Sequence, residues 1–202
     1  ALRLAVSDEE RQQSALSTAS ALFALGRLDE GWKVFQGRYT RAAVVARHPE
    51  VIDDPARIAA LEKPARILIR TEQGVGDEIF FLRFAVELRR RGHRLRVSGE
   101  AKLPPLLAAL PELFDAGDGA VDFTLCSGDL PLASGQAMAP PLALAVDAQR
   151  REQVQGVLAA FGPPPYLGVT WRGGLLPGEP APLRGAFLQK KLPPDALGAA
   201  LR

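Results

Sequence analysis

The first 46 residues carry apolar positions at the spacing of helices. Ser7 and Glu10 form the pattern of a capping box, which satisfies two backbone donors at a helix start. Apolar residues then recur at helical intervals between Leu16 and Phe23. Gly26 stands where a glycine in the left-handed conformation commonly ends a helix. The pattern therefore predicts a helix that follows Ser7 and ends before Gly26.

A second helix is predicted directly afterwards, with Asp29 as its cap. Trp32, Phe35 and Tyr39 fall on one face of this helix. Because a lone pair of helices cannot bury three aromatic side chains, this face needs a partner surface. We expect it to pack against the remainder of the protein, and a peptide-binding groove is the alternative. Residues 47–64 contain several prolines and are predicted to be a connector.

From residue 66 onwards, short apolar runs alternate with longer amphipathic segments. The alternation predicts strands at 66–70, 95–97 and 121–126, and helices at 77–91 and 103–113. In the first of these helices, Phe80, Phe84 and Leu88 share one face. Alternating strands and helices are typical of an α/β fold whose parallel sheet is covered by helices. Such sheets place function in the loops that follow the carboxyl ends of the strands.

The last part of the chain begins with a proline spacer. Three consecutive prolines, 163–165, precede a predicted strand at Tyr166–Trp171. Because proline cannot donate to a strand ladder, we expect the spacer to keep this strand out of the first sheet. The strand and a short helix starting at Asp195 are too little for a separate core. Either the segment docks on the first sheet, or the chain is the front part of a longer protein. We expect the segment to be mobile or to pair with a second copy in a homodimer.

Charge and composition narrow the function classes. Lys and Arg number 25 against 23 Asp and Glu, a near balance that argues against nucleic-acid binding. The one cysteine, Cys126, excludes a disulfide within the chain and is expected to be a small buried side chain. His48, in the connector, and His93, in a turn, give no metal-binding spacing. The absence of a long apolar stretch and of a leader pattern indicates a cytoplasmic protein without a membrane span.

The loop between the first strand and its helix has the most informative composition. Gly74 and Gly76 allow a ligand to approach the backbone, and the helix start that follows favours anions. A dinucleotide fingerprint would need a third glycine where Ile79 stands, and no P-loop lysine motif is present. Asp77 has two interpretations at this point. It is either a helix cap or a carboxylate that accepts a proton from a substrate hydroxyl.

Three segments together resemble a known family. Residues 22–32 (FALGRLDEGW within them) look like the last unit of a tetratricopeptide array, whose repeat is about 34 residues long. Residues 67–77, with their Glu-Gln-Gly-Val-Gly-Asp stretch, resemble the segment that follows in bacterial tetratricopeptide-repeat glycosyltransferase-like proteins, which are related to heptosyltransferases. Residues 166–174 are similar to the strand that opens the second lobe of those proteins.

The resemblance implies a fold and a domain order. The fold would be α/β, with a parallel Rossmann-like sheet, the amino-terminal lobe of a GT-B glycosyltransferase, preceded by a tetratricopeptide-like helical hairpin. The implied divisions are the hairpin at 1–46, the connector at 47–64, the acceptor lobe at 65–162, and a spacer with the start of a second lobe at 163–202. Most of the donor lobe would then be missing from this chain.

The resemblance also implies a reaction and its residues. A sugar would pass from a nucleotide-sugar donor to a hydroxyl acceptor, and Asp77 would be the catalytic base. No metal or cofactor is implied, since the nucleotide sugar is a substrate. The residues implied to line the cleft are Glu72, Gln73, Gly74, Gly76, Trp171, Arg172, Gly173 and Gly174. From residue types alone, Trp171–Gly174 is equally well explained as an anion-binding turn or as a plain exit turn.

A second function class remains open beside the enzyme. In the resembling family the helix after the Gly-Asp pair commonly begins with polar residues, whereas here Ile79, Phe80 and Phe81 are apolar. The chain would then be a non-catalytic interaction module on a degenerate glycosyltransferase fold. Its protein partner would bind through the helical hairpin.

Overall fold

The computed structural model describes residues 7–99, 107–108, 110–144, 146–169, 172–173, 190–191, 193, 195 and 197–198. The chain forms two compact units, Ala1–Asp147 and Ala148–Arg202. The first unit is of mixed α/β type, with a small parallel sheet and several helices. The finer division of the chain at residues 46, 64 and 162 stays a prediction.

Three helices form what we call the helical layer: α1 (Asp8–Ala24), α2 (Leu28–Phe35) and α3 (Tyr39–Val45). The capping box at the start of α1 is confirmed. Ser7 N donates to Glu10 Oε2 (2.9 Å), and Glu10 N donates to Ser7 Oγ (3.1 Å). The predicted helix end is confirmed as well, because Gly26 has a φ of 73°.

The predicted cap of the second helix is wrong. Once Gly26 has reversed the chain, Arg27 N donates to Leu22 O (2.9 Å), so the backbone is already helical at Leu28 and Asp29 lies inside the first turn. The prediction that Tyr39 continues this helix is also wrong. The helix ends because Arg38 is extended (φ −65°, ψ 147°) and directs its side chain into the interior, so that Tyr39 begins α3.

The sheet has three parallel strands in the described part of the chain, as the alternation predicts. They are β1 (Arg66–Arg70), β2 (Arg94–Ser98) and β3 (Phe123–Cys126), in the order β2-β1-β3. β1 lies in the centre, with Ile67 opposite Leu95 on one side and opposite Phe123 on the other. The connector contains the short helix α4 (Ala56–Ala59) and follows the outer edge of β3, where Ile52 N donates to Thr124 O (3.0 Å).

The helix predicted at 77–91 is two helices, α5 (Val75–Leu82) and α6 (Ala85–Arg90). Phe81, Leu82, Phe84 and Ala85 are all buried. The chain tightens between the two helices, where Phe84 N donates to Phe81 O, three residues earlier (3.0 Å). α5 also starts two residues earlier than predicted. Its cap is Gly74, so the interpretation of Asp77 as a helix cap is wrong.

Aromatic side chains join the helical layer to α5 and α6. The Trp32 ring lies 5.9 Å from Phe84 and 6.3 Å from Phe81, both edge to face, and Phe35 lies 5.8 Å from Phe81. Trp32 Nε1 also donates to Ala137 O (2.8 Å). Trp32 and Phe35 therefore pack in the core of the first unit, as expected, and do not line a peptide groove.

His93 is a core residue and the prediction of a turn residue is wrong. Gly92 ends α6 with a φ of 86° and turns the chain inward, so that His93 is buried beside the start of β2. Its Nδ1 accepts a hydrogen bond from Ala65 N (3.0 Å). Burial, together with the charge of Arg91, lowers the pKa of His93, which favours the neutral ring.

After β3, a 3₁₀ turn at Ser127–Asp129 leads into the short helix α7 (Leu130–Ser134). Five of the eleven residues of the helix predicted at 103–113 lie outside the described residues, and its described end, 111–113, forms a turn. No helix in the described part of the chain combines the length and apolar character that crossing a membrane requires.

The second unit contains helix α8 (Ala148–Ala159) and a pair of two-residue strands, β4 (Arg172–Gly173) and β5 (Lys190–Lys191), which run antiparallel. The strand predicted at Tyr166–Trp171 is wrong for its described residues, 166–169, which have no regular structure. No described strand supplies ladder hydrogen bonds to them, and Leu167 is 79% exposed. Most of the helix predicted from Asp195 lies outside the described residues.

Candidate functional site

The carboxyl ends of two neighbouring strands define the candidate site. Arg70, the last residue of β1, lies opposite Cys126, the last residue of β3. The segments that follow, the loop 71–74 and the 3₁₀ turn Ser127–Asp129, therefore lie side by side. We call residues 71–77, from the end of β1 to the first turn of α5, the β1 loop. This edge is where a parallel sheet commonly carries its ligands.

Glu78 connects these two segments from inside the protein. Its Oε1 accepts hydrogen bonds from Glu72 N (2.9 Å), Gln73 N (2.9 Å) and Ser127 Oγ (3.0 Å). The residue is fully buried, and its Oε2 has no partner in the described residues. Burial raises the pKa of Glu78, against the effect of these hydrogen bonds, and the nearby Glu72 carboxylate raises it further.

Four charged side chains form what we call the ionic cluster: Arg38, Arg41, Glu72 and Asp129. Arg38 donates from Nε to Glu72 Oε1 (2.9 Å), and from Nη2 to Glu72 Oε2 (3.0 Å) and Asp129 Oδ1 (2.9 Å). Arg41 donates from Nε to Asp129 Oδ2 (3.1 Å) and from Nη2 to Ile52 O (2.7 Å). The cluster joins the helical layer to both segments of the site.

Gly128 is packed against this cluster. Its N–H donates to Glu72 Oε1 (3.1 Å). A Cβ atom at this position would lie 2.7 Å from Arg38 Nη2 and closer still to Glu72 Oε1, so no larger residue fits without a shift. The close approach of the backbone explains why glycine stands here.

Cys126 is buried, as expected, beside the cluster. Its backbone N–H donates to Asp129 Oδ2 (3.4 Å). Burial raises the pKa of the Cys126 thiol, and the Asp129 carboxylate adds to this effect. The thiolate, which is the nucleophilic form of cysteine, is therefore disfavoured.

Asp77, the predicted base, is exposed in the first turn of α5. It forms no hydrogen bond or ion pair with another residue in the described part of the chain. A Cβ atom at Gly74 would lie 3.7 Å from Asp77 Oδ2, and one at Gly76 would meet nothing within 4 Å. The carboxylate thus has open space around it, next to a backbone that Glu78 and Arg38 hold in place.

The other predicted residues lie in different surroundings. The Glu72 carboxylate is part of the ionic cluster and its side chain is fully buried. Gln73 is half-buried, and its Nε2 lies 3.5 Å from Glu72 Oε1. Arg172 and Gly173 form β4 in the second unit, whereas Trp171 and Gly174 lie outside the described residues.

The described residues of the first unit border two open grooves. One, of about 490 Å³, is bordered by α1 and α3, and the other, of about 400 Å³, by α6 and residues 110–113 and 142–143. Neither groove includes a residue of the β1 loop. Within the described residues, no three His, Cys, Asp or Glu side chains come together in a group that could hold a metal ion.

Arg38, Asp129 and the role of Glu78 are functional features of the site that the sequence pattern does not indicate. The only signal in the sequence was the acid pair Asp77–Glu78 after two glycines, and it drew attention to the exposed member. No neighbouring residue in the sequence distinguishes Arg38 or Asp129 from the other charged residues. The two partners of Arg38, Glu72 and Asp129, lie 34 and 91 residues away from it along the chain.

Comparison with known proteins gives a partial likeness. Over 82 residues the chain is 34% identical to Protein FlbA of Caulobacter vibrioides. The matched stretch covers 40% of this chain and 13% of FlbA, so the chain spans only a small part of that relative's length. No protein-family model and no solved structure matches the chain.

Proposed function

We propose that the chain carries the acceptor side of a two-lobed glycosyltransferase, in which Asp77 is the catalytic base. In this reaction the acceptor hydroxyl oxygen forms a bond to the anomeric carbon of the sugar. The bond from that carbon to the phosphate oxygen breaks, and the nucleotide leaves with the electron pair. The hydroxyl proton passes to the Asp77 carboxylate.

The observation that carries the proposal is the placement of Asp77. Its carboxylate is exposed and unpaired within the described residues, beside the carboxyl end of a central parallel strand. A general base must reach the proton that it removes, and a carboxylate in an ion pair would be blocked. Asp77 meets this requirement, whereas the neighbouring Glu72 and Glu78 are both buried.

The backbone under Asp77 also suits this role. Glu78 binds the amides at 72 and 73, and Arg38 holds the Glu72 side chain. A catalytic group needs such support, since small displacements from the reacting geometry cost rate. Gly74 and Gly76 leave room for an acceptor at the start of α5.

The remaining assignments follow the resemblance in the sequence. The sheet would be the Rossmann-like amino-terminal lobe of a GT-B enzyme and the helical layer the end of a tetratricopeptide array. Gln73, Gly74 and Gly76 would contact the acceptor. The donor side would include Trp171–Gly174, where glycine N–H groups and Arg172 suit a phosphate. The nucleotide sugar is the substrate.

The test measures nucleotide release from a panel of nucleotide sugars, with water as the acceptor, by protein made from the full gene. Asp77→Asn should lower the rate by about 10²–10⁴ with an unchanged melting temperature. Asp29→Asn is the matched control, because Asp29 is also an exposed aspartate in the first turn of a helix. Release that survives in Asp77→Asn would exclude the base role, and no release from any donor by the unaltered protein would exclude the transferase.

A second candidate function is a non-catalytic interaction module. Phe80, on α5, is 42% exposed, and the Arg83 guanidinium lies over its ring at 4.0 Å. An exposed aromatic ring with a stacked arginine is a common element of protein interfaces. The module predicts a partner whose capture is lost in Phe80→Ser, together with no nucleotide release. The transferase predicts nucleotide release that Phe80→Ser leaves in place.

A further inference from the structure

Arg38 belongs to the helical layer, yet most of its contacts lie outside that layer. It stands between α2 and α3, and its side chain is 1% exposed. Its fork binds both oxygens of Glu72 and one of Asp129, and Nη1 donates to Phe35 O (3.0 Å). Only arginine offers a planar set of donors that can bind two carboxylates and a carbonyl at once.

The charge of Arg38 is secured by these partners. Burial disfavours a charged guanidinium, but the Glu72 and Asp129 carboxylates outweigh burial and raise the pKa of Arg38. The dependence is mutual, because a buried carboxylate without its partner is strongly destabilised. Glu72 therefore cannot keep its position without a cation in the place of Arg38.

Glu72 is the point at which the β1 loop is fixed from two sides. Its side chain is held by Arg38 and by Gly128 N, and its backbone N–H is held by Glu78. The following residues carry fewer contacts, and Asp77 comes only five positions later. The position of Glu72 therefore determines where the β1 loop begins and where Asp77 lies.

Arg41 provides an internal comparison. It belongs to the same ionic cluster and binds Asp129 and Ile52 O, but it makes no hydrogen bond to Glu72. If the cluster only tied the helical layer to the sheet, loss of either arginine would have similar effects. If Arg38 orients the β1 loop, its loss alone would release the loop.

We infer that Arg38 is a positioning residue for the β1 loop, so that the helical layer is a working part of the candidate active site. The inference rests on the proposed function, because it concerns the loop that carries Asp77. The inference also predicts that loss of Arg38 releases the β1 loop, and the state of the loop can be measured without any substrate.

The experiment compares Arg38→Met with Arg41→Met in the full chain by NMR. In Arg38→Met we expect hydrogen-exchange protection of the amides at 72 and 73 to fall at least tenfold, and the Gly74 and Gly76 cross-peaks to shift. In Arg41→Met these amides should be unchanged although the melting temperature falls. Equal effects of the two variants on the loop, or none from Arg38→Met, would overturn the inference.

Two further variants separate the loop from overall stability. Arg38→Met combined with Glu72→Gln removes both charges of the pair and keeps an acceptor for Gly128 N, so the melting temperature should recover while the loop stays released. Recovery of the loop as well would overturn the inference.

If Arg38→Met does not fold, Arg38→Lys replaces it, because lysine keeps the charge but lacks the planar set of donors. Arg38→Lys should give the same loop changes in a folded protein. An unchanged loop in Arg38→Lys would overturn the inference.

Nucleotide release distinguishes this inference from the proposed function. Where the unaltered protein releases nucleotide, Arg38→Met should lower kcat at least tenfold with little change in KM for the donor, and Arg41→Met should lower neither. Where it releases none, the proposed function fails, and the NMR comparison still decides whether Arg38 positions the loop.

Discussion

Asp77 and Glu78 are adjacent acids in opposite surroundings. Successive residues of a helix point about 100° apart, so the first turn of α5 directs Asp77 to solvent and Glu78 into the interior. The exposed carboxylate is available to a substrate, whereas the buried one holds the backbone beside it. In such a pair, one side chain is available for reaction and its neighbour holds the backbone in position.

Substitution of Glu78 by Gln should produce a pH-dependent gain in stability. Because the pKa of Glu78 is raised by burial, the folded chain keeps this proton to a higher pH than the unfolded chain. Its contribution to stability is complete below the ordinary glutamate pKa of 4.5 and is lost as the pH rises through the pKa of Glu78 in the folded chain. Glu78→Gln has no proton to lose, so its melting temperature relative to the unaltered protein should rise between about pH 4 and pH 7.

Glu87 offers a control of opposite sign. The hydrogen bond from Arg90 lowers the pKa of Glu87, so its contribution is present above the unfolded value and disappears as the pH falls. Glu87→Gln should therefore lose stability near neutral pH and not in acid. The charges that face Glu78 are Glu72 and the other members of the ionic cluster. If the melting-temperature difference between Glu78→Gln and the unaltered protein stayed constant across this pH range, the effect assigned to burial would be contradicted.

Gly128→Ala should destabilise the protein by about 1–3 kcal/mol, the usual cost of an added methyl group in a packed site. The new Cβ would press on Glu72 and Arg38, and their hydrogen bonds leave them little room to move. Gly119→Ala is the control, since a Cβ there meets nothing within 4 Å, and it should stay within about 0.5 kcal/mol. Urea unfolding measures both values; equal midpoints for the two variants would contradict the packing described here.

Residue-level prediction from the sequence succeeded where the cause was local. Ser7, Glu10 and Gly26 behave as their patterns indicate because each depends on neighbours within a few positions. The ionic cluster could not be predicted, since charged residues are mostly exposed and only the folded chain brings Arg38 to Asp129. Asp77 could be selected as a candidate, but its exposure and the buried support beside it could not.

At the scale of elements, the largest departure from prediction is the division between α5 and α6. The amphipathic pattern predicts one helix with Phe80, Phe84 and Leu88 on its buried face. Phe84 and Leu88 are buried as expected, whereas Phe80 is 42% exposed. The helix breaks at a tight turn in which Phe84 N donates to Phe81 O (3.0 Å), and Phe81 and Phe84 both contact Trp32. β1 shows the reverse case, since its apolar run predicts Arg66–Arg70 with the observed bounds.

Helix α8 shows why an element can be missed. None of its residues, Ala148–Ala159, is buried, so the sequence has no apolar face here that would predict a helix. The strand predicted at Tyr166–Trp171 fails for the opposite reason. Its apolar residues suit a strand, but a strand also needs a neighbour, and the sequence does not show whether one is present.

Trp32→Ala should cost about 3–5 kcal/mol, the range for removal of a large core aromatic side chain. Trp32 contacts aromatic rings of both the helical layer and α5, and its indole N–H binds Ala137 O. Trp32→Phe keeps most of the ring contacts and should cost about 1–2 kcal/mol, mainly from the unpaired carbonyl. Unfolding in urea, followed by circular dichroism, gives both values, and a loss below about 1 kcal/mol for Trp32→Ala would show that the interface is not a core.

At the scale of the molecule, the helical layer and the sheet belong to one compact unit, Ala1–Asp147. Two different contacts join them. The aromatic cluster around Trp32 buries apolar surface, and the ionic cluster around Arg38 ties the helical layer to the loops at the carboxyl edge of the sheet. A tetratricopeptide-like hairpin that merely preceded the sheet would need neither contact, so we expect the two parts to fold together.

The fragment 1–147 should therefore unfold in one cooperative transition, and the fragment 65–147 should not fold. Removal of residues 1–64 exposes Phe81 and Phe84 and leaves Glu72 buried without Arg38, so this fragment should bind a hydrophobic dye and aggregate. Trp32 is the one tryptophan of 1–147, and its fluorescence reports on the aromatic interface, whereas circular dichroism reports on all helices. The two signals should change at the same urea concentration, as two-state unfolding requires. Separate transitions, or a soluble fragment 65–147 with cooperative unfolding, would show that the helical layer is an independent domain, because a part that folds alone does not need the contacts that Trp32 and Arg38 provide.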